Sequence, residues 1–182
     1  MSVSDVKSET ATVAIERTAE SVFAFIDDIR NVGFHMSEQS SMAMMGSKLR
    51  LEILSAQPTG VGATYRYSGK ILGLALDFTE SVTRYVPNRE KVWRTVEGPR
   101  LLIMSSYEMR LAVDPLSPSS SRLTISIAYE LPAAWFWRCV AILLAGSYAR
   151  WCLRRMCRDA KHALEATPPS GLESSSVAEG EI

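Results

Sequence analysis

Residues 132–165 read PAAWFWRCVAILLAGSYARWCLRRMCRDAKHALE. This is the one long helical pattern in the chain, and the rest is arranged around it. At about 100° per residue, taking Arg138 as zero, Ile142, Ala145, Ala149, Cys152, Leu153, Met156, Ala160, Ala163 and Leu164 fall in one arc roughly 120° wide. That is the width of a core-facing stripe. Arg150, Arg154, Arg158, Lys161 and Glu165 fall opposite, so the second half of the helix has a wet back. The first half does not: Phe136, Trp137, Val140, Leu143, Leu144 and Trp151 lie on or near the back and are apolar. A helix with one consistent apolar face needs a surface to pack on, and the segments before it read as strands.

Composition sets the limits. The chain has 182 residues, 47% of them apolar, enough for one domain with a sizeable core. Lys plus Arg equals Asp plus Glu at 20 each. A zero balance argues against a nucleic-acid binder, which carries a basic surplus. Met1–Thr10 is polar and has no apolar core of a secretory leader. The uncharged run Cys139–Ala149 is too short to span a bilayer. Cys139, Cys152 and Cys157 all sit on the helix, with Cys152 and Cys157 poorly placed to bond to each other. No metal-ligand spacing links His35 or His162 to them, and no cofactor is implied. A reducing, cytoplasmic setting is the simple expectation.

In chain order, residues 1–10 are expected to be disordered. Ala11–Arg17 alternates as a strand. Thr18 is placed to cap a helix over Ala19–Asp28, and Asn31–Met36 suggests a second short one weakened by Gly33. Met36, Met42, Met44 and Met45 belong to a stretch that either packs under a loop or forms an adaptable wall of a site. From Lys48 the pattern turns to strands: 48–53, 63–68, 74–82, 92–96, 101–113 and 122–131. They are separated by a turn at Gln57–Gly60, a bend at Gly69–Gly73, a Pro87–Asn88 turn, Gly98–Pro99 and a Pro/Ser loop at 114–121. Consecutive strands with short connections read as an antiparallel meander with one dry face. The Pro/Ser/Glu segment 167–182 is expected to be a disordered tail.

Three stretches carry a resemblance to a known group: VAIERTAESVFAFIDDIRN at 13–31, VGATYRYSGKILGLALDFTESVTRYVPNREKVWRT at 61–95 and SSRLTISIAYELP at 120–132. The order of strand, two short helices, six-strand meander and long terminal helix resembles the START-like helix-grip (SRPBCC) superfamily, in its polyketide cyclase/dehydrase and lipid-transport branch. The likeness covers about residues 11–165. It implies an α+β fold in which a curved antiparallel sheet of about seven strands wraps the long C-terminal helix. The motifs are structural and specify activity hardly at all. Two features depart from the pattern: Phe34–His35 where one aromatic is usual, and the very apolar start of the last helix.

Candidate site residues are polar or adaptable groups on faces that should be dry. Arg138 lies at the centre of the helix's core arc. It either pairs with Glu80, meets a ligand carboxylate or phosphate, or snorkels to solvent. Glu80 shares a face with Leu76, Phe78 and Val82. Tyr65, Tyr67, Tyr107 and Tyr129 fall on dry faces, where a hydroxyl either finds a structural partner or orients a ligand. Met109 and Ile142 would line the same space, and His35 is the one group before the helix that titrates near neutral pH. The first functional expectation is a non-catalytic carrier or sensor of a small hydrophobic molecule (lipid, polyketide or aromatic metabolite) held between sheet and helix. The second is a cyclase/dehydrase-type enzyme working with these tyrosine, histidine or carboxylate groups. Trp135, Phe136 and Trp137 beside the apolar helix back suggest self-association as a homodimer first and membrane contact second.

Overall fold

The computed structural model describes residues 6–32, 48–71, 74–97, 104–132 and 135–166, with the last segment's side chains described from Leu144. Strand β1 (Val6–Ile15) leads to helix α1 (Ala19–Asp27) and the short α2 (Ile29–Val32). Strands β2 (Lys48–Ile53), β3 (Thr64–Ile71), β4 (Leu74–Val86), β5 (Glu90–Glu97), β6 (Ser106–Ser117) and β7 (Ser120–Glu130) follow. Helix α3 (Trp135–Ala166) closes the chain. All strands join one curved antiparallel sheet in the order β1-β7-β6-β5-β4-β3-β2. The meander runs β2 to β7 and the first strand closes on the last, as the helix-grip reading expects.

Capping begins both short helices. The Thr18 hydroxyl accepts from the Ser21 amide at 3.2 Å and donates to the Ser21 hydroxyl at 3.1 Å, starting α1 as expected. The Asp28 carboxylate accepts from the Arg30 amide at 2.9 Å. That restarts the helix at Ile29 rather than at the expected Asn31.

The strand ends differ from the sequence reading, each for a local reason. β1 begins at Val6, not Ala11, because its polar residues 7–10 pair with Thr10↔Ser126 through Lys7↔Tyr129 of β7. A sheet ladder needs backbone, not apolar side chains. Gly69 lies inside β3, opposite Leu76, not in the bend. β6 and β7 extend into the expected 114–121 loop and meet in a tight turn after Ser117. Pro115 fits there because the backbone donors of this phase face β5: Val113 N donates to Arg89 O, and β5 begins beyond it. The missing N–H therefore faces the side where β5 has ended.

α3 lies along β1. Arg150 meets Glu9 at 2.8 Å, Lys161 Nζ donates to Ala14 O at 2.7 Å, and the Glu16 amide donates to Glu165 at 3.1 Å. From Glu9 to Glu16 the strand advances about 23 Å, and from Arg150 to Glu165 the helix advances about 22 Å. The two elements therefore stay in step over the whole contact. Ala145, Ala149, Leu153, Met156 and Ala160 are buried, as the arc requires, while Ala163 is exposed and Cys157, just outside the arc, is buried. α3 therefore sits over the β1–β7 flank, and α1 packs between it, β6 and β7.

Candidate functional site

The sheet register sets the site. Reading straight across, Tyr129 opposes Tyr107, Tyr107 bonds Thr95, Thr95 opposes Glu80, and Glu80 opposes Tyr65. Four of the expected residues thus fall in one transverse row, on the face that also carries Met109 and Trp93. Tyr67 and Phe78, one step along, oppose each other and stack with centroids 5.2 Å apart. Phe78 meets Tyr107 edge to face at 6.1 Å. These rings make an aromatic wall with a carboxyl set into it.

That carboxyl is Glu80, only 3% exposed. The Tyr107 hydroxyl donates to its Oε1, and the Trp93 side chain bonds to it as well. Burial pushes its pKa up to about 8; the Trp93 hydrogen bond and the charge of Lys91 only partly oppose this. Desolvation wins because the cation is not in contact: Lys91 is spent elsewhere. At neutral pH the group holds a proton. Burial, with Glu80 and Tyr65 adding charge repulsion, also raises the Tyr67 hydroxyl well above its ordinary value.

The cluster that uses Lys91 was not expected from the sequence. Lys91 is 1% exposed, and its ammonium donates to Asp27 Oδ1 at 2.9 Å and to Asp27 O at 2.7 Å. Tyr85 donates to the other Asp27 oxygen at 2.7 Å. The ammonium also lies 5.6 Å from the centroid of the Tyr65 ring. One signal was available: Asp27 ends α1, where the helix dipole disfavours an anion. Such a residue needs a cation. Tyr85 was hidden by a bulge. β4 pairs Val82 with Trp93 but Arg84 with Val92, so the extra Thr83 flips the phase and turns both Val82 and Tyr85 inward.

Away from Glu80, the expected residues have separate partners. Tyr65 is fully buried, and its hydroxyl donates to Pro58 O at 2.5 Å, so it is tied to the β2–β3 loop. Tyr129 sits under α3, beside Gly146 and the Glu9–Arg150 pair. Met109 packs in the core opposite Trp93. His35, the methionine stretch, and the Arg138, Ile142, Trp135, Phe136 and Trp137 side chains lie outside the described residues. Among the described side chains Glu80 takes Tyr107 and Trp93 as partners; the expected Glu80–Arg138 pair lies outside the described residues. Under α3, a crevice lined by Phe25, Ile26, Leu111, Ile125, Met156 and Ala160 leaves only about 20 Å³, room for one water. No group of three metal-ligating side chains occurs among the described residues.

No family model and no curated protein matches this sequence. Solved structures do. A START superfamily protein from Mycobacterium smegmatis aligns at TM-score 0.60 and 17% identity, over 87% of this chain and 97% of that one. Norcoclaurine synthase from Thalictrum flavum, in complex with dopamine and hydroxybenzaldehyde, aligns at 0.61 and 15%, over 90% of each chain. The Zhui aromatase/cyclase from Streptomyces sp. R1128 aligns at 0.54 and 19%, over 88% of this chain and 90% of that one. The chain has the START-like helix-grip fold, and identities this low speak to fold alone.

Proposed function

We propose that the chain binds a small hydrophobic molecule carrying an oxygen function, an aromatic or polyketide-like metabolite, against the Tyr67–Phe78–Tyr107 wall. One observation carries this reading: a carboxyl buried among aromatic rings and kept protonated, with pKa about 8. A neutral carboxyl is at once donor and acceptor, suited to orienting one polar tip of an otherwise apolar guest. Structural neighbours of this fold include START proteins and an enzyme holding two small aromatic compounds. Native mass spectrometry of protein purified from its host looks for the guest directly. A panel of phenols and aromatic ketones, followed by thermal shift, tests the anchor. A hit should stabilise the parent and lose most of its shift in Glu80→Leu and in Tyr107→Phe. Hits that bind both variants as tightly as the parent refute the anchor.

A second reading is that the same pair acts as acid and base on a bound carbonyl compound, as in cyclase/dehydrase chemistry. What favours it is the Glu80 pKa itself, close to a working pH. The two readings part on turnover: if a bound carbonyl compound is recovered unchanged after long incubation, the enzyme reading falls.

A further inference from the structure

The outward side of α3 carries a feature that neither the core nor the Glu80 site explains. Leu144 is 54% exposed and Trp151 44% exposed. Tyr148 stacks on Trp151 with centroids 6.3 Å apart. At three- and four-residue spacing, Leu144, Ser147, Trp151, Arg154, Arg155 and Arg158 share one arc roughly 100° wide, directly behind the core stripe. The same arginines, with Arg150, Ser147 and Trp151, line a shallow open concavity of about 390 Å³. Arg150 is paired with Glu9 at 2.8 Å and Arg155 with Asp159 at 3.0 Å. Arg154 and Arg158 have no ion-pair partner among the described residues. They stand one turn apart, beside a half-exposed indole.

We propose that this face is a peripheral docking surface for an anionic lipid membrane. The apolar end, Leu144 and Trp151, enters the interface, while Arg154 and Arg158 meet lipid phosphates. The chemistry is that of an interfacial helix: an aromatic and a leucine to enter the boundary, guanidiniums to meet the negative surface. The surface lies on the helix rather than across it, since no helix among the described residues is long and apolar enough to cross a membrane. A second copy fits less well. A two-fold contact centred on this face would set Arg154 and Arg158 of one copy against the same pair of the other, and the nearby acids Asp159 and Glu165 are already taken by Arg155 and Lys161. The surface is independent of the Glu80 site.

Co-sedimentation of the full chain with phosphatidylcholine vesicles, with and without phosphatidylglycerol, tests this. Binding is expected with the anionic lipid only, falling as sodium chloride rises. Arg154→Gln with Arg158→Gln should weaken partition about thirty-fold, and Trp151→Ala should weaken it further. Both sites are exposed, so circular dichroism should remain that of the parent. Arg154→Lys with Arg158→Lys should retain binding, because the lipid field reads charge. Equal binding to neutral vesicles, no binding to anionic ones, undiminished binding by the glutamine pair, or loss in the lysine pair each overturns the proposal. So does inorganic phosphate that strips the protein better than chloride at equal ionic strength, which would make the stripe a free-anion site.

Discussion

Glu80 keeps its proton because, among the described residues, its surroundings offer hydrogen bonds and rings but no touching cation. Its pKa of about 8 in the fold, against an ordinary 4.5, fixes the sign of a pH effect. Between those values the folded state holds a proton that the unfolded chain has released. Stability therefore falls as pH rises through that window, by up to about 1.4 kcal/mol per unit, and levels off above it. Glu80→Gln removes this component. In thermal melts from pH 4.5 to 9 the variant should gain on the parent steadily and lead most above pH 8; a constant gap across the range would refute the buried titration. Lys91 is half of a buried ion pair with Asp27. Lys91→Met leaves Asp27 with the Tyr85 hydroxyl as its one remaining side-chain partner among the described residues and should cost about 3–5 kcal/mol in urea titration. Asp27→Asn added to it should restore part of that loss. Of these residues Glu80, Tyr67 and Tyr107 were legible, since simple alternation put them on the dry face. Lys91 and Tyr85 were not. A lysine reads as solvated unless its partner is known, and the bulge at Thr83 reverses the alternation just before Tyr85.

α3 and β1 stay in contact over sixteen helical residues, Arg150 to Glu165, and at Gly146 the helix comes close to the side chains below it. At Gly146 an added Cβ would stand 3.3 Å from Glu9 Oε1 and 3.5 Å from the Tyr129 hydroxyl. Gly146→Ala asks only the tip of Glu9 to shift and gains about 1 kcal/mol of helix propensity, so its stability should match or slightly exceed the parent's. Gly146→Leu has no such room and should cost about 1–3 kcal/mol by overpacking. Chemical denaturation of the two variants checks the pair, and equal losses would mean that the close approach is not the constraint. The arc that Ala145, Ala149 and Ala160 share with Leu153 and Met156 made this helix the most legible element. Strand ends were less so. The β6–β7 hairpin continues through a Pro/Ser stretch because outward-facing polar residues and a donor-free Pro115 suit strands beyond the β5 edge. Polar strand ends look like loop when read alone. β1 was shortened for the same reason: polar residues 7–10 hide a ladder that exists only because β7 lies beside it.

At the scale of the whole molecule, the sheet order joins the two ends of the chain. β1 pairs with β7 across more than a hundred residues, and α3 lies on β1. Neither the first strand nor the last helix has its main partner near it in sequence. These three elements should therefore form late and together, since long loops must close before the contacts repay them. β2 is different. It pairs along its described length with β3, and Arg50 and Glu52 on it are exposed. Native-state hydrogen exchange separates the two regions. Amides of Ala11–Ile15, Leu123–Tyr129 and Ala149–Ala160 should open with one common free energy, equal to that of global unfolding. β2 should exchange through a cheaper opening, less sensitive to added urea. Glu9→Gln, which breaks the Arg150 pair without touching the ladder, should lower protection of β1 and α3 by the same amount and leave β2 unchanged. If instead α3 loses protection alone, the helix is a separate lid on a self-sufficient sheet, and the ends of the chain are not one cooperative unit.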